Sequence, residues 1–369
     1  MLATYNHPAK VKLSQGFIGR IPVRNIWLLM FYASRLFEAG GLKHVAMEDR
    51  PDYLPDMIAE LMVSLVERRL RQNLSFHYRN KRKDLYRLRG KIDFVTTNRR
   101  QLLARGKLHC SFDTLTIDTK RNRYIYAALE QLSRLVQCED LGQKCRMLAL
   151  RLRQMGVTPK KPTRAEISQE AFGRHDKEDK PIFYAAHLVF NLALPTEEVG
   201  RAQLPNPNRE EKWLRRLFEL AIGGFYRVVL DKERWSVYTG RYLQWPISEQ
   251  TEGMREIFPS MQTDIIIDDN LRNQRTIIDT KFTEVIKAGY YRDYTLESGH
   301  IYQIYAYLRS QATGDNPLAD NAQGLLLYPS LGKELDETTT IQGHRIRFAT
   351  VDLSLASREI RERLLYLIN

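Results

Sequence analysis

Cysteine is scarce in this 369-residue chain: Cys110, Cys138 and Cys145 are the whole set, and no two form a C-x-x-C pair. An odd, scattered trio supplies neither a disulfide framework nor a thiolate zinc site, and it suits a reducing compartment such as the cytoplasm. Long apolar runs are missing as well. The longest, Ile26-Trp-Leu-Leu-Met-Phe-Tyr-Ala33, falls far short of the roughly 20 residues that span a bilayer, so it reads as a buried element and no membrane partner is expected. The opening Met1-Leu-Ala-Thr-Tyr-Asn-His-Pro has no apolar stretch of the kind a secretory leader carries. No G-x-x-x-x-G-K-[ST] loop occurs, so the chain itself is not expected to bind a nucleoside triphosphate. The eight histidines contain no H-E-x-x-H and no i, i+4 pair. Only His300, close to Gln303, invites attention, and a plain helix-start role suits it. Repeats and low-complexity tracts are also absent.

Positive charge is what the chain has in excess. Its 57 Lys+Arg face 44 Asp+Glu, a formal +13, which favours a polyanionic partner but says nothing of the fold. Between Arg68 and Lys107, fourteen Lys/Arg stand against two acids, Asp84 and Asp93, so that one segment carries +12. Tyr78, Tyr86 and Phe94 are interleaved with it. Such segments track phosphate or bind acidic surfaces, because guanidinium forks match both groups. A merely solvated basic face would have the same composition.

The length suggests two domains. Residues 1–20 read as a lead-in. Helical periodicity marks Ile26 to about Ala39, stopped by Gly40-Gly41, and Asp52 to about Gln72. From Leu74 to about Asp118, short alternating runs (Ser75–Tyr78, Asp84–Leu88, Lys91–Val95, His109–Phe112) predict a small antiparallel, barrel-like β unit carrying the basic segment. Helical period returns from Thr119 to about Met155, and Val157-Thr-Pro-Lys-Lys-Pro162 is the best boundary. The predicted organisation is an α+β N-terminal domain over 1–162 and an α/β domain over 163–369, with its core at about 210–369. That second domain should hold a short helix at 180–194 and a long amphipathic helix from Glu210 to about Val229. Strands are expected at Trp235–Tyr242, Gln262–Asp268, Thr276–Phe282, Gly324–Tyr328 and His344–Asp352, and helices at Gly299–Ser310 and Leu355–Leu367. Gly223-Gly224, inside the long helix, reads as a point of close packing.

The chemistry concentrates in Thr263-Asp264-Ile-Ile-Ile-Asp-Asp and, after a polar loop, Arg275-Thr-Ile-Ile-Asp279-Thr-Lys281. In a hairpin, strand alternation puts Asp279 and Lys281 on one face, and Asp264 can lie beside Asp279 across the ladder. Two carboxylates and an ammonium then gather at one edge of an isoleucine-rich sheet. That set suits phosphodiester hydrolysis. Asp264, Asp279 and the Thr280 carbonyl offer hard oxygen donors to Mg²⁺, which lowers the pKa of a bound water. Lys281 can orient or deprotonate that water and offset the charge developing at phosphorus. The spacing fits the loose D…(D/E)-x-K pattern of PD-(D/E)xK restriction-endonuclease-like domains. Gln303 and Tyr307 on the next helix make the Q-x-x-x-Y pair of the RecB-like branch, and Glu219 stands where a third acid is often carried. Each has an ordinary reading too: an edge ion pair, a surface glutamine, a core tyrosine, a solvated glutamate. Helix Glu, strand Asp, strand Asp-x-Lys and helix Gln nevertheless follow the αβββαβ order of that nuclease core.

Several longer motifs point further. Ile21-Pro-Val-Arg-Asn-Ile26, Leu88-Arg-Gly-Lys-Ile-Asp-Phe94, Phe112-Asp-Thr-Leu-Thr-Ile-Asp118 with Asn122, Thr263-Asp264, Ile278-Asp-Thr-Lys281 and Leu326-Leu-Tyr-Pro329 resemble the McrC family, the endonuclease subunits of McrBC modified-cytosine restriction systems. The resemblance runs from about Ile21 to the C-terminal helix. It implies a separate partner, an McrB-like AAA+ GTPase hexamer that reads DNA containing modified cytosine. It also implies that the N-terminal region enters that ring and stimulates GTP hydrolysis, while the C-terminal domain cuts DNA. Asp264, Asp279 and Lys281 take the core catalytic roles, with Glu219, Gln303 and Tyr307 in support and Arg89, Lys91 and Asp93 as partner or DNA contacts. A non-cleaving subunit that organises the ring, and a RecB-like exonuclease that needs no GTPase, remain as alternatives.

Overall fold

The computed structural model describes residues 17–18, 21–34, 36, 54–72, 74–173, 176, 178–200, 207–283, 296–312, 314 and 316–369. The expected stop at Gly40-Gly41 lies outside them. The chain divides into two compact units, one of residues 55–190 and one of residues 1–54 with 191–369. The boundary expected at 157–162 therefore falls inside a unit. Its residues are tied down there: Val157 is buried, and Thr158 donates from N and Oγ1 to Asp118 at 2.8 and 2.9 Å. Helix α1 (Val23–Ala33) belongs instead with the C-terminal half of the sequence. Asn25 Nδ2 donates to the carbonyls of Leu353 and Leu355 at 2.7 and 2.9 Å, and Trp27 Nε1 donates to Leu192 at 3.2 Å. Bonds of such sequence separation leave no trace in local composition.

In the unit of residues 55–190, α2 (Leu54–Gln72) precedes β1 (His77–Leu85), β2 (Lys91–Ile92), α3 (Phe94–Arg99) and β3 (Leu108–Thr116). Two helices follow, α4 (Lys120–Leu135) and α5 (Glu139–Gln154), and the unit runs into α6 (Asp179–Gly200). The sheet is an open antiparallel ribbon, order β1-β3-β2, rather than the expected barrel. It does not close because the run after Ile92 turns into α3, with Asp93 as its N-cap, accepting from Thr96 N and Oγ1 at 2.9 and 2.7 Å. Residues 77–83 of β1 are all exposed. Their polar and basic side chains alternate onto both faces, so neither face has an apolar row to bury. The break between α4 and α5 is fixed by Asp56 of α2, whose carboxylate accepts from the Gln137 and Cys138 amides.

The other unit is built on a six-stranded sheet. After α7 (Pro207–Val229) come β4 (Trp235–Thr239), β5 (Tyr242–Leu243), β6 (Met261–Gln262), β7 (Ile265–Asp269) and β8 (Gln274–Thr280). Then follow α8 (Ser298–Gln311), β9 (Gln323–Ser330), β10 (Asp336–Ile341), β11 (His344–Asp352) and α9 (Ser357–Tyr366). The sheet order is β10-β11-β9-β8-β7-β4. Strands β4, β7 and β8 form an antiparallel meander, and β9 returns parallel to β8 after α8. Ile265, Ile266, Ile267, Ile277 and Ile278 are fully buried because both faces of these strands are covered. On one face Ile266, Ile277, Leu326 and Phe348 pack with Ile304, Tyr307 and Leu308 of α8. On the other lies α7, whose Gly223 has room only for hydrogen: a Cβ there would stand 2.7 Å from Thr239. At Gly224 a Cβ would stand 1.9 Å from the Tyr32 carbonyl of α1, so the glycine pair does serve close packing.

Two expected strands are broken. The run Trp235–Tyr242 breaks at Gly240 (φ 64°) and Gln262–Asp268 breaks at Thr263-Asp264. The two kinks brace each other, since Gly240 N donates to the Asp264 carbonyl at 2.9 Å and Thr263 N to the Arg241 carbonyl at 3.0 Å. Strand β10 was not expected from its sequence. It pairs with β11 across Gln342-Gly343, both at positive φ (48° and 85°), the backbone of a primed two-residue hairpin turn. No helix among the described residues is long and apolar enough to cross a membrane.

Candidate active site

The site forms where the β7–β8 pair ends against α8. Register places Ile278 opposite Ile265 and Ile277 opposite Ile266, and one step further Asp279 faces Asp264. Asp264 precedes β7 rather than lying within it. Its Oδ2 accepts from Thr280 N at 2.8 Å and Oγ1 at 2.7 Å. Both bonds fall on one oxygen, so Thr280 leaves Oδ1 unengaged. Asp279 and Lys281 share a face, as alternation predicts, and Lys281 Nζ stands 2.6 Å from Asp279 Oδ2. Asp279, Thr280 and Lys281 are all at most 5% exposed.

Beyond this ion pair, among the described residues neither Asp279 oxygen accepts a hydrogen bond. Burial pushes this carboxyl up to about 6; Lys281 opposes the rise and the Asp264 charge adds to it. A buried carboxylate left without hydrogen bonds is costly unless a cation compensates it. Lys281 is itself held from the helix side. Gln303 Oε1 accepts from Nζ at 2.8 Å, Gln303 Nε2 donates to Tyr307 OH at 2.6 Å, and Tyr307 OH donates to the Gln262 carbonyl at 2.8 Å. Burial raises the Tyr307 phenol to about 12, so it keeps its proton.

Glu219 is less closely engaged. It lies on α7 and pairs with Arg216 one turn earlier. Burial raises its carboxyl, with the Asp264 charge adding to the rise. Among the described residues no three His, Cys, Asp or Glu side chains cluster as a metal site. The donor set is thus two carboxylates and the backbone beside them. Such a set suits a hard cation that keeps several waters, such as Mg²⁺, and does not suit zinc.

Arg89, Lys91 and Asp93 lie far along the sequence from these residues, in the other unit. The Arg89 guanidinium stacks on Phe112 at 4.3 Å, Lys91 is exposed, and Asp93 is occupied in capping α3. Two further groups act on the acids without having a site role assigned from sequence. Arg215 on α7 lowers the Asp279 and Glu219 carboxyls through its charge, and its spacing four residues before Glu219 was the available signal. Tyr328 on β9 sits within the field of Asp279, which only sheet register reveals.

Fold and site together define an α/β protein with a carboxylate–lysine centre at the end of a mixed sheet, braced by a crossover helix. The chain belongs to the McrBC family: residues 9–329 match the family described as McrBC 5-methylcytosine restriction system component. It is 27% identical over 337 residues, 90% of this chain and 93% of the relative, to the type IV methyl-directed restriction enzyme EcoKMcrBC of Escherichia coli (strain K12). Among solved structures it is similar to a chain of the half-complex from a tetradecameric assembly of Thermococcus gammatolerans McrB AAA+ hexamers with bound McrC. That match has a TM-score of 0.45 at 16% identity and covers 96% of this chain and 81% of the other. A chain of the T. gammatolerans McrBC complex matches over 51% of this chain and 64% of its own, with a TM-score of 0.35 and 18% identity.

Proposed function

We propose that this chain is the McrC-type endonuclease subunit of a GTP-dependent restriction complex directed at modified cytosine, acting in the cytoplasm. The observation that carries the reading is the continuous set Asp264–Thr280, Asp279–Lys281, Gln303–Tyr307 at one sheet end. The succession α7, β4, β7, β8, α8, β9, with the third strand of the meander parallel to the fourth, supports a PD-(D/E)xK core. In this reading Asp264, Asp279 and the Thr280 carbonyl hold Mg²⁺, which supplies Lewis acidity and a more acidic water when bound. Lys281, steered by Gln303, orients the attacking water and offsets charge on the phosphoryl oxygens. Glu219, tied to Arg216, serves the electrostatics of the site from α7.

The basic ribbon is proposed to engage the partner, an McrB-like AAA+ GTPase hexamer, and to stimulate its GTP hydrolysis. Strand β1 is exposed over residues 77–83, and Tyr78 in it and Tyr86 just after it are 70% and 74% exposed; such a strand gains little from its own burial and suits a surface completed by another protein. Arg89 and Lys91 lie at the edge of the ribbon.

Cleavage of duplex DNA containing modified cytosine, with partner, GTP and Mg²⁺, tests both halves. Asp279→Asn and Lys281→Ala should each cost at least about a hundredfold in rate while leaving stimulated GTP hydrolysis in place. Undiminished cutting would remove these residues from the mechanism. A wild-type chain that stimulates GTP hydrolysis but never cuts would be a regulatory subunit, and one that degrades free DNA ends without partner would be an exonuclease.

A further inference from the structure

Helix α7 and strand β4 run in opposite directions, joined through residues 230–234, where Trp235 N donates to the Asp231 carbonyl at 2.8 Å. Gly223 of α7 lies level with the last residue of β4, since a Cβ on it would stand 2.7 Å from Thr239 and 3.6 Å from Ile265. Residues before Gly223 therefore carry the helix toward the sheet end at which Gly240 and Asp264 brace each other. At about 1.5 Å per residue, Glu219 is about 6 Å and Arg215 about 12 Å farther along. A ring contact fixes the same direction: Phe218 meets Phe282, the neighbour of Lys281, with centroids 5.9 Å apart.

Arg215, Phe218 and Glu219 are neighbours on the helix surface, at spacings of three and four. Arg215 is exposed, and among the described residues no acid holds it: Glu219, one turn on, pairs with Arg216. Its charge is nevertheless felt at the centre, where it lowers both the Asp279 and the Glu219 carboxyls. Lys281 is by contrast enclosed, bound between Asp279 and Gln303. The site thus has one buried ammonium held on the acid and one solvent-facing guanidinium at its rim, on the side away from α8.

We propose that Arg215 is a further catalytic residue: its guanidinium takes a non-bridging oxygen of the scissile phosphodiester from the α7 side and stays on it through the transition state. The proposal rests on the nuclease reading above. A planar fork of N–H donors fits two phosphate oxygens at once, which an ammonium does not. Exposure suits the task, because substrate can reach the guanidinium, and the bound DNA then excludes the water that would weaken the contact. Attack by water loads negative charge onto the phosphoryl group, so the contact strengthens in the transition state and its loss should appear in kcat.

Steady-state cleavage of modified duplex DNA by the full complex, with GTP and Mg²⁺, compares Arg215→Ala, Arg215→Lys and Asp279→Asn, with thermal melts of each chain. Arg215→Ala should lower kcat about a hundredfold while KM for DNA changes by less than about threefold. Arg215→Lys restores the charge but not the fork and should remain at least about tenfold slow. An unchanged kcat in Arg215→Ala overturns the proposal. So does full recovery by Arg215→Lys, which would make the residue a distant charge acting through Asp279, or an effect confined to KM, which would make it a DNA contact away from the cut. A loss of kcat that simply follows a lowered Tm overturns it too, with the packing of α7 as the cause. If Asp279→Asn still cuts, the nuclease reading itself fails; if it is silent while Arg215→Ala cuts normally, only this inference falls.

Discussion

Lys281 bridges Asp279 and Gln303: its ammonium is 2.6 Å from the carboxylate and 2.8 Å from the amide oxygen. One buried cation thus joins the strand that carries the acid to the helix that crosses over to the next strand. A lysine this deeply buried needs partners on both sides. The crossover helix supplies one of them, and Tyr307 fixes the Gln303 amide so that its oxygen points at the ammonium. The side chain that would act on water is therefore aimed by two residues that need never touch substrate.

Gln303→Leu should lower kcat about tenfold to a hundredfold, with KM for DNA moving little, because a misdirected Lys281 is felt in the transition state rather than in binding. Tyr307→Phe should have the same sign and a smaller size. Single-turnover cleavage rates check both, and a Gln303→Leu chain that cuts at the normal rate would show that Lys281 needs no steering.

Metal-free stability should carry the signature of Asp279. Its folded pKa of about 6 lies above its ordinary value of 3.8, chiefly through burial. Between about pH 4 and pH 6 the folded state then holds a proton that the unfolded chain has lost. This contribution to stability falls as pH rises through that window and levels off above it, by about 3 kcal/mol at most. Asp279→Asn should lack this part of the slope. Urea unfolding in EDTA at pH 4.5 and 7.5 makes the comparison; equal pH dependence in the two proteins would contradict it. Added Mg²⁺ should raise wild-type stability at pH 7.5 and have little effect on the variant.

Gly224→Ala should destabilise the C-terminal unit by about 3 kcal/mol or more, as overpacking against rigid backbone does. The new Cβ would press on the Tyr32 carbonyl, a backbone atom of α1 that has no free torsion to swing away. Denaturant unfolding measures the loss, and a near-neutral variant would mean that the two helices can slide apart cheaply.

Asp93 offers a separation of roles. Asp93→Ala should cost about 1 kcal/mol through the lost cap on α3, whereas Asp93→Ser keeps a capping oxygen and should cost less. Stimulation of the partner's GTP hydrolysis should follow the same order. If Asp93→Ser is stable yet fails to stimulate, the carboxylate itself meets the partner.

Periodicity marked the helices well where one face had to be buried. Helix α7 was expected from Glu210 to Val229 and runs over Pro207–Val229, because its apolar stripe repeats locally. The β ribbon was harder to read. Short alternating runs mark its strands, but basic residues on both faces of β1 carry no sign of whether the sheet closes, and the cap at Asp93 makes the run after Ile92 the helix α3 instead of a strand. Strand β10 escaped notice because its Thr-rich residues are exposed at the sheet edge and bury no apolar row.

The candidate site was legible in part, since the spacing of the hairpin also named Asp264 and the Q-x-x-x-Y pair named Gln303 and Tyr307. Alternation along a strand forces Asp279 and Lys281 to one side whatever surrounds them, and that much belonged to the sequence alone. Pairing across strands, the kink at Thr263-Asp264 that turns the Asp264 carboxylate onto Thr280, and the stripe of α8 that meets Lys281 and Tyr328 all depend on contacts between residues 16 to 28 positions apart. The same holds for α1, which is bonded to Leu353 at the far end of the chain. Local periodicity reports which face of an element is apolar; which other element covers that face is decided by packing the whole unit, and only the tertiary structure records it.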